Sequence, residues 1–253
     1  MQNLSTIAAC GTGRSRDSFA AVQIALVLVK IEKAGQHNGD KNMSVTIPLH
    51  AIELAPGSQI AIHNLSWQDF ERLLEDLGEK RNTRIAYYRG TLEIMSPLAL
   101  HERPHRIIAY IITTILEEQG RNWEDFGSTT FKRPDIAGVE PDTCFYIQNA
   151  SQVKGCTQMD LTVYPPCDLA VESDVTSKTT LNAYISLRVP EVWIYSNHQL
   201  TVYILQADGY VESLLSPTFP NLPVTELIPR LVQKAIDDGT SQMLRELRAL
   251  LRE

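Results

Sequence analysis

The sequence predicts an α/β fold in which helices flank a mixed β-sheet, with further helices at the C-terminus. Stretches with apolar residues at helical spacing alternate along the chain with short runs rich in β-branched and aromatic residues. With 253 residues, 43% hydrophobic and 21% charged, the chain can bury one full core. We therefore predict one domain over residues 43–225, preceded by an extension over residues 1–42 and followed by helices over residues 226–253.

The first elements predicted within the domain are a helix and a hairpin. Residues 66–77 begin with a serine that is followed by acidic residues, which is typical of a helix N-terminus. The runs 84–88 and 91–95 are strand-like and are joined by Arg89-Gly90, so they predict a β-hairpin. A long helix over about residues 101–119 follows, because its isoleucines recur at helical spacing.

The second half of the domain alternates strands with one helix. The loop over residues 148–166 is long and polar, which favours an active-site flap or a dimer contact. Gly239 divides the C-terminal apolar pattern into two helices, which we expect to serve packing or dimerisation. The remaining elements are predicted at residues 125–131, 143–147, 168–173, 191–195, 200–205 and 210–213 as strands and at residues 178–187 as a helix.

The N-terminal extension differs in composition from the rest of the chain. Residues 1–42 mix Gly, Ser, Asn, Arg and Lys around one apolar run, Phe19–Val29, which is too short to span a membrane. No small-residue cleavage site of a secretory signal follows that run. We expect a poorly structured segment, and we hypothesise that Met43 is the physiological start.

Charge and cysteine usage limit the possible functions. The net charge of −7 argues against broad nonspecific affinity for nucleic acid, which depends on phosphate neutralisation by lysine and arginine. The four cysteines lack the Cys-x-x-Cys spacing of a zinc knuckle, and a reducing cytoplasm fits them. A local basic groove remains compatible with the composition, with candidates Lys80, Arg81, Arg84, Arg89, Arg103, Arg106, Lys132 and Arg133.

Carboxylates near strand ends predict a divalent-metal site. Asp142 follows Pro141, and Glu172 interrupts an apolar strand, where a carboxylate is costly unless it is paired or binds metal. Mg²⁺ prefers hard oxygen ligands and keeps several waters, so one or two carboxylates suffice to hold it against a phosphate. Asp174 lies two residues beyond Glu172 and shares its strand face, so it is either a third ligand or a helix cap.

A lysine beside such a metal would position the attacking water and neutralise developing charge. Lys178, at the predicted start of the next helix, is the candidate, and Lys132 is a rival for the same role. A second Pro-Asp pair occurs at Pro134-Asp135. We favour Asp142 because an apolar run follows it directly.

Four blocks of the sequence resemble the Uma family of restriction-endonuclease-like proteins, within the PD-(D/E)xK nuclease superfamily. The resemblance covers about residues 44–225. It implies a restriction-endonuclease-like fold and a nuclease that uses Mg²⁺, or Mn²⁺, on DNA, with Asp142, Glu172 and Lys178 at its site. The superfamily pattern would place lysine at position 174, where this chain has aspartate. The blocks are GSTTFK (127–132), EPDTCFYIQN (140–149), ESDVTSKTTLNAY (172–184) and VPEVWIY (189–195).

The start of the long helix carries a further polar cluster. By resemblance, Glu102 is a fourth member of the site, although an acid that stabilises the helix N-terminus is an equal interpretation. Arg103, His105 and Arg106 are candidates for phosphate contact, together with Lys132 and Arg133. His101 and His105 have the spacing of a zinc pair without an evident third ligand, so a solvated face is favoured for them.

These patterns predict a cytoplasmic Mg²⁺-dependent nuclease that hydrolyses DNA through a metal-activated water. DNA is the expected partner, no membrane association is expected, and a homodimer is compatible with the C-terminal helices. The main alternative is a catalytically inactive nuclease-fold module for binding or assembly. A metal-dependent hydrolase of a smaller phosphoester is the third possibility.

Overall fold

The structure is a computed structural model that describes residues 28–31, 45–48, 52–78, 83–96, 99–173 and 177–252. Side chains are described throughout these ranges except in residues 28–31, 45–48 and 99–102. Two short strands, β1 (Leu28–Ile31) and β2 (Val45–Pro48), form an antiparallel pair. The rest of the predicted N-terminal extension lies outside the described residues. No described helix combines the length and apolar character needed to cross a bilayer.

A five-stranded antiparallel sheet forms one half of the domain. It orders its strands β3-β5-β4-β8-β7, and the predicted hairpin is its β4–β5 pair. Helix α1 (Trp67–Leu77) packs on this sheet through Phe70 and Leu73, and Ser66 caps it by accepting a hydrogen bond from the Asp69 amide at 3.1 Å. The strands are β3 (Gln59–Ile62), β4 (Arg84–Tyr88), β5 (Thr91–Met95), β7 (Phe131–Arg133) and β8 (Ala137–Val139).

A six-stranded mixed sheet forms the other half. Its strand order is β13-β12-β11-β10-β9-β6, and only β10 and β11 run parallel among the pairs of the described chain. Helix α3 (Lys178–Leu187) makes the crossover between these two strands, as parallel neighbours require. The strands are β6 (Glu124–Asp125), β9 (Thr143–Tyr146), β10 (Leu169–Ser173), β11 (Glu191–Ser196), β12 (Gln199–Gln206) and β13 (Gly209–Ser213).

Three helices cover the outer face of the six-stranded sheet: α2 (Ala99–Glu118), α4 (Val224–Asp237) and α5 (Thr240–Leu251). Their apolar side chains pack with Leu169 and Val171 of β10 in one buried cluster. Alternation along a strand sends Ala170 and Glu172 to the opposite face, and Ala170 packs there with α3 and the five-stranded sheet. Glu172 therefore projects between the two sheets.

The predicted α/β fold with a mixed sheet and flanking helices is confirmed, and so are the two C-terminal helices. The strands other than β1 and β2, however, divide into two sheets, and β1, β2, β3 and β8 were not predicted. The strand predicted over residues 125–131 is wrong. A turn interrupts it: Gly127 has a φ of 55°, and its amide donates to Asp125 Oδ1 at 2.8 Å. Such aspartate-anchored turns compete locally with extended backbone.

Gly138 of β8 sits against the Phe70 ring of α1, and this contact generates a test of how tightly α1 packs on the sheet. A Cβ at position 138 would lie 2.7 Å from two atoms of that ring, which is itself buried. Gly138→Ala should therefore lower the free energy of unfolding by about 1–3 kcal/mol through overpacking.

Chemical denaturation measures this loss. Phe70→Leu in the same chain provides the internal control, because a smaller side chain makes room for the new methyl group. The combined variant should lose less stability than the sum of the two single losses. If the two single losses add strictly, the Phe70 ring does not limit the space for a side chain at position 138.

Candidate active site

The antiparallel register of β9 and β10 brings Asp142 and Glu172 together. Thr143 lies opposite Val171 and Cys144 opposite Ala170, so the register places Asp142 opposite Glu172 just beyond the last paired residues. Directly opposed residues in an antiparallel pair project to the same face. We call these two carboxylates the acidic pair. The sequence placed both residues in one site, and the structure brings them together.

Backbone and side-chain donors hold the acidic pair in place. The Asp142 amide donates to Glu172 Oε2 at 3.3 Å, and the Tyr184 hydroxyl of α3 donates to Glu172 Oε1 at 2.5 Å. The Ser173 amide donates to Asp142 Oδ2 at 2.8 Å. Each carboxylate oxygen has two lone pairs, so these donors leave acceptor capacity on both groups.

Two basic side chains approach Asp142. Arg84 Nε of β4 donates to Asp142 Oδ1 at 3.3 Å, and His105 Nδ1 of α2 lies 3.9 Å from Oδ2. The side chains of Arg84, His105 and Asp142 are 20%, 3% and 9% exposed. Arg84 of the five-stranded sheet thus contacts Asp142, which lies beside the six-stranded sheet. The acidic pair therefore lies where the two sheets join.

Burial and mutual repulsion dominate the electrostatics of the acidic pair. Glu172 is 4% exposed, and this burial, followed by the negative charge of Asp142, raises the pKa of Glu172 well above its usual range. The hydrogen bonds from Tyr184 and the Asp142 amide, and the charge of Arg84, only partly oppose this rise. Burial, and then the adjacent Glu172 charge, also raise the pKa of Tyr184, so Tyr184 remains a donor.

A small void of about 30 Å³ lies next to Glu172 between the sheets. That volume exceeds the roughly 10–15 Å³ needed for one water. Its lining includes Arg84, Glu172 and Glu93 of β5, and the Ser177 hydroxyl at the cap of α3 donates to Glu93. The N-terminus of α3 is therefore tied to the five-stranded sheet, while Tyr184 of the same helix is tied to the acidic pair.

The carboxylate oxygens of the acidic pair fit a hard divalent cation as ligands. Carboxylate oxygens are the ligands that Mg²⁺ and Mn²⁺ prefer, and Mg²⁺ is commonly held by one or two of them plus water and phosphate. No cluster of three or more His, Cys, Asp or Glu residues suited to a metal occurs among the described residues. The acidic pair by itself supplies the two ligands that such a site needs.

The other predicted site residues stand apart from this geometry or outside the described part. Lys178 is the first residue of α3, and its side chain is exposed. Asp174 lies outside the described residues. Glu102 lies near the start of α2, and its side chain is likewise outside the described part. Their predicted roles remain predictions.

Three of the four predicted nucleic-acid contacts have protein partners. Arg103 donates to the Ala235 carbonyl of α4 at 3.2 Å, and Arg133 donates to the Ser186 carbonyl of α3 at 2.8 Å. Lys132 pairs with Glu71 at 2.8 Å. Arg106 is exposed on α2. Exposed ion pairs of the Lys132–Glu71 type contribute about 0.2–1 kcal/mol, so phosphate can replace such a partner at low cost.

Sequence reasoning missed three residues around the acidic pair. Tyr184 and His105 were not assigned to it, and Arg84 was only one of several basic candidates. The solvated position favoured for His105 is wrong, because the side chain is buried. Its spacing of three and seven residues from the buried Ile108 and Ile112 was the available signal, since these positions share one helix face.

Comparison with known proteins yields one family match. The model of the family Uma2, described as "Putative restriction endonuclease", matches residues 67–237, which include the acidic pair, α2 and α3. A solved structure of a "putative nuclease belonging to DUF820" from Anabaena variabilis ATCC 29413 is similar with 15% identity and a TM-score of 0.46. The similarity covers 71% of this chain and 99% of that chain. No curated protein matches.

The raised pKa of Glu172 generates a stability prediction. A glutamate whose pKa is higher in the folded than in the unfolded state stabilises the fold below about pH 4.3, and this contribution is lost as pH rises through the folded pKa. Glu172→Gln removes the cost of either ionising or protonating the buried carboxyl group, so at neutral pH it should raise the free energy of unfolding by about 1–3 kcal/mol. Near pH 4 the two proteins should be nearly equal.

Urea titrations across this pH range test the prediction. Glu212→Gln is the matched control, because Glu212 also accepts a hydrogen bond from a tyrosine hydroxyl, that of Tyr203 at 3.3 Å, but is exposed. Its effect should be small at every pH. A stability difference between Glu172→Gln and wild type that does not change with pH would contradict a buried, charge-destabilised Glu172.

Proposed function

Because the chain belongs to the Uma2 family of restriction-endonuclease-like proteins, we propose that it is a Mg²⁺-dependent nuclease that hydrolyses phosphodiester bonds in DNA. The acidic pair is the observation that carries this proposal. Two carboxylates meet at the end of β10 with the carboxyl group of Glu172 almost fully buried. Buried charges of one sign are costly unless a cation or a proton compensates them, and active sites are where such costs concentrate.

Asp142 and Glu172 would hold the metal, with Mn²⁺ as an alternative to Mg²⁺. When bound, the ion supplies Lewis acidity toward a phosphate oxygen and lowers the pKa of a coordinated water. The protein contributes preorganisation. The Tyr184 hydroxyl and the Asp142 amide orient the two Glu172 oxygens, and the Ser173 amide orients Asp142, so little reorganisation accompanies ligand binding.

Basic side chains around the acidic pair would bind the phosphate groups of the DNA. Arg84 donates a hydrogen bond to Asp142 at the junction of the sheets. A phosphate that approaches the acidic pair can also interact with the Arg84 guanidinium. Lys178 begins α3, six residues beyond Glu172, and in this proposal it positions the attacking water. Glu102 and Asp174 would add oxygen ligands. Arg103, Arg106, Lys132 and Arg133 would contact the DNA backbone.

Cleavage assays test the proposal directly. Wild-type protein should nick plasmid DNA with Mg²⁺ or Mn²⁺ and not with chelator. Asp142→Asn and Glu172→Gln keep side-chain size but remove a ligand charge, so each should reduce the cleavage rate by about 100-fold or more. Because Glu172→Gln is expected to stabilise the fold, loss of activity in this variant does not reflect unfolding.

Glu124→Gln, an exposed glutamate on β6 of the same sheet, is the matched control and should cleave like wild type. Metal-independent cleavage, or full activity in both amide variants, would refute the assigned chemistry. A wild-type protein that binds metal and DNA without cleaving would instead support the inactive-module alternative. Turnover of a model phosphodiester without plasmid cleavage would favour a hydrolase of smaller phosphoesters.

Metal binding should also release a proton. Glu172 holds its proton to a higher pH than an ordinary glutamate, and a divalent cation binds the deprotonated carboxylate. The affinity for Mg²⁺ should therefore rise with pH until Glu172 is fully ionised in the free protein.

Calorimetric titration in two buffers of different ionisation enthalpy measures this proton. The apparent binding enthalpy should differ between the buffers for wild type. In Glu172→Gln the buffer dependence should vanish along with most of the affinity. A binding enthalpy that is independent of buffer in wild type at the pH where Glu172 titrates would exclude it as a ligand.

A further inference from the structure

We propose that a second cleft, next to the acidic pair, binds the base and sugar of an unpaired nucleotide that adjoins the scissile phosphate. The inference rests on the proposed nuclease function, because that function defines the phosphate. The cleft encloses about 520 Å³. Pockets for small organic ligands typically enclose about 300–1,000 Å³, so one nucleoside fits.

The cleft lies between the two halves of the domain. Leu74 and Glu75 of α1 line one side, and the turn over residues 126–130 lines another. Residues 157–159 complete the lining from the long loop predicted as an active-site flap or a dimer contact. We call this site the hydroxyl-lined cleft, because its neutral polar lining consists of Thr83, Ser128, Thr129, Thr130, Thr157 and Gln158.

This lining suits the edges of a nucleobase. Hydroxyl and amide side chains donate and accept hydrogen bonds, as the base edges do. The Thr129 and Thr130 hydroxyls already donate to the Phe126 carbonyl and to Glu140, so these two offer acceptors to a base.

Phe126 adds an aromatic surface: its ring is partly exposed and meets Tyr146 edge-on at 5.0 Å between centroids. Bases stack on such rings in sequence-tolerant single-strand sites. Met159 lines the same cleft and adds a polarisable apolar contact.

Thr83 provides an independent indication of a ligand. Its side chain lines the cleft and is 3% exposed, yet its hydroxyl has no hydrogen-bond partner within the described part of the protein. Buried hydroxyls are normally paired, because leaving one unpaired costs stability. Because the hydroxyl oxygen is itself almost inaccessible, a base or sugar atom in the cleft would supply the missing partner after a small shift of the lining.

The charges of the cleft favour the neutral part of a nucleotide. Its lining includes two carboxylates, Glu75 and Glu140, and two cations, Arg84 and Lys132. The charged side chains of the lining therefore balance, which suits a neutral base and sugar, and Arg84 and Lys132 keep the phosphate-contacting roles proposed above. Arg84 also contacts Asp142 at 3.3 Å, so the cleft and the acidic pair share this residue. A nucleoside in the cleft would place its phosphate toward Arg84 and the acids.

A base stacked within a duplex cannot enter a cleft of this kind. Enzymes that read a base in a pocket act on single strands or extrude the nucleotide. The preferred substrate is therefore DNA with unpaired nucleotides at the cleavage position.

Binding to fluorescein-labelled single-stranded and duplex oligonucleotides tests the proposal. Anisotropy is measured with Ca²⁺ in place of Mg²⁺, and gel analysis confirms that the probe stays intact. Ser128 is exposed on the cleft, so Ser128→Trp should fill the cleft while Ser128→Ala leaves it open. We expect Ser128→Trp to weaken single-strand binding by about tenfold, as loss of a stacked base does, with duplex binding unchanged. Ser128→Ala removes one lining hydroxyl but leaves the cleft open, so it should weaken single-strand binding far less than Ser128→Trp does.

A second pair of variants covers the case in which Ser128→Trp does not fold. Thr83→Val removes the unpaired hydroxyl with little change in shape, and it should weaken single-strand binding about fivefold or more, as loss of one hydrogen bond does. Thr114→Val changes a buried threonine of α2 that does not line the cleft, and it should have no effect.

Equal single-strand affinity of folded Ser128→Trp and Ser128→Ala would overturn the proposal, and so would equal affinity of the Thr83 and Thr114 variants. Failure of the nuclease function is observed separately. It appears as absence of Mg²⁺-dependent cleavage by wild type, whatever the cleft variants do to binding.

Discussion

The pairing of β9 with β10 is the constraint on which the rest of the site depends. It sets Asp142 opposite Glu172 and directs both toward the space between the two sheets. Strand side chains alternate faces, so a register shift of one residue would turn Glu172 into the apolar layer formed with α2 and α4. The buried residues of β9 and β10 on both faces oppose such a shift, because each face packs in its own cluster.

The surroundings of the acidic pair show how a fold tolerates a costly charge. Glu172 lies in a buried environment but has two donors, Tyr184 and the Asp142 amide. Asp142 accepts hydrogen bonds from the Ser173 amide and from Arg84. Glu191, on the neighbouring strand, is also buried but accepts hydrogen bonds from Trp193, Ser216 and Thr218, which anchor a loop. No second acid pairs with Glu191 among the residues that the structure describes, so we regard it as structural.

Local sequence patterns were sufficient to predict the α-helices of the described residues and to single out the two acids of the candidate site. The boundaries of α3 and the serine cap of α1 follow from short-range signals that act within one turn. Glu172 stood out because a carboxylate in an apolar strand is costly unless it is compensated, and Asp142 stood out because it follows a proline and precedes an apolar run. Tyr184 and Arg84 could not be assigned in this way, since their link to the pair arises only when α3 and β4 meet across the sheets. The division into two sheets is likewise a matter of long-range pairing, which residue periodicity does not encode.

The tie between α3 and both halves of the molecule has a consequence during synthesis. Arg84 emerges early from the ribosome, whereas Glu172 and its partner Tyr184 come from late in the domain. A nascent chain therefore carries no complete set of these groups until most of its length has been translated. A truncated chain that ends before Glu172 therefore lacks the acidic pair to which the proposed cleavage is assigned.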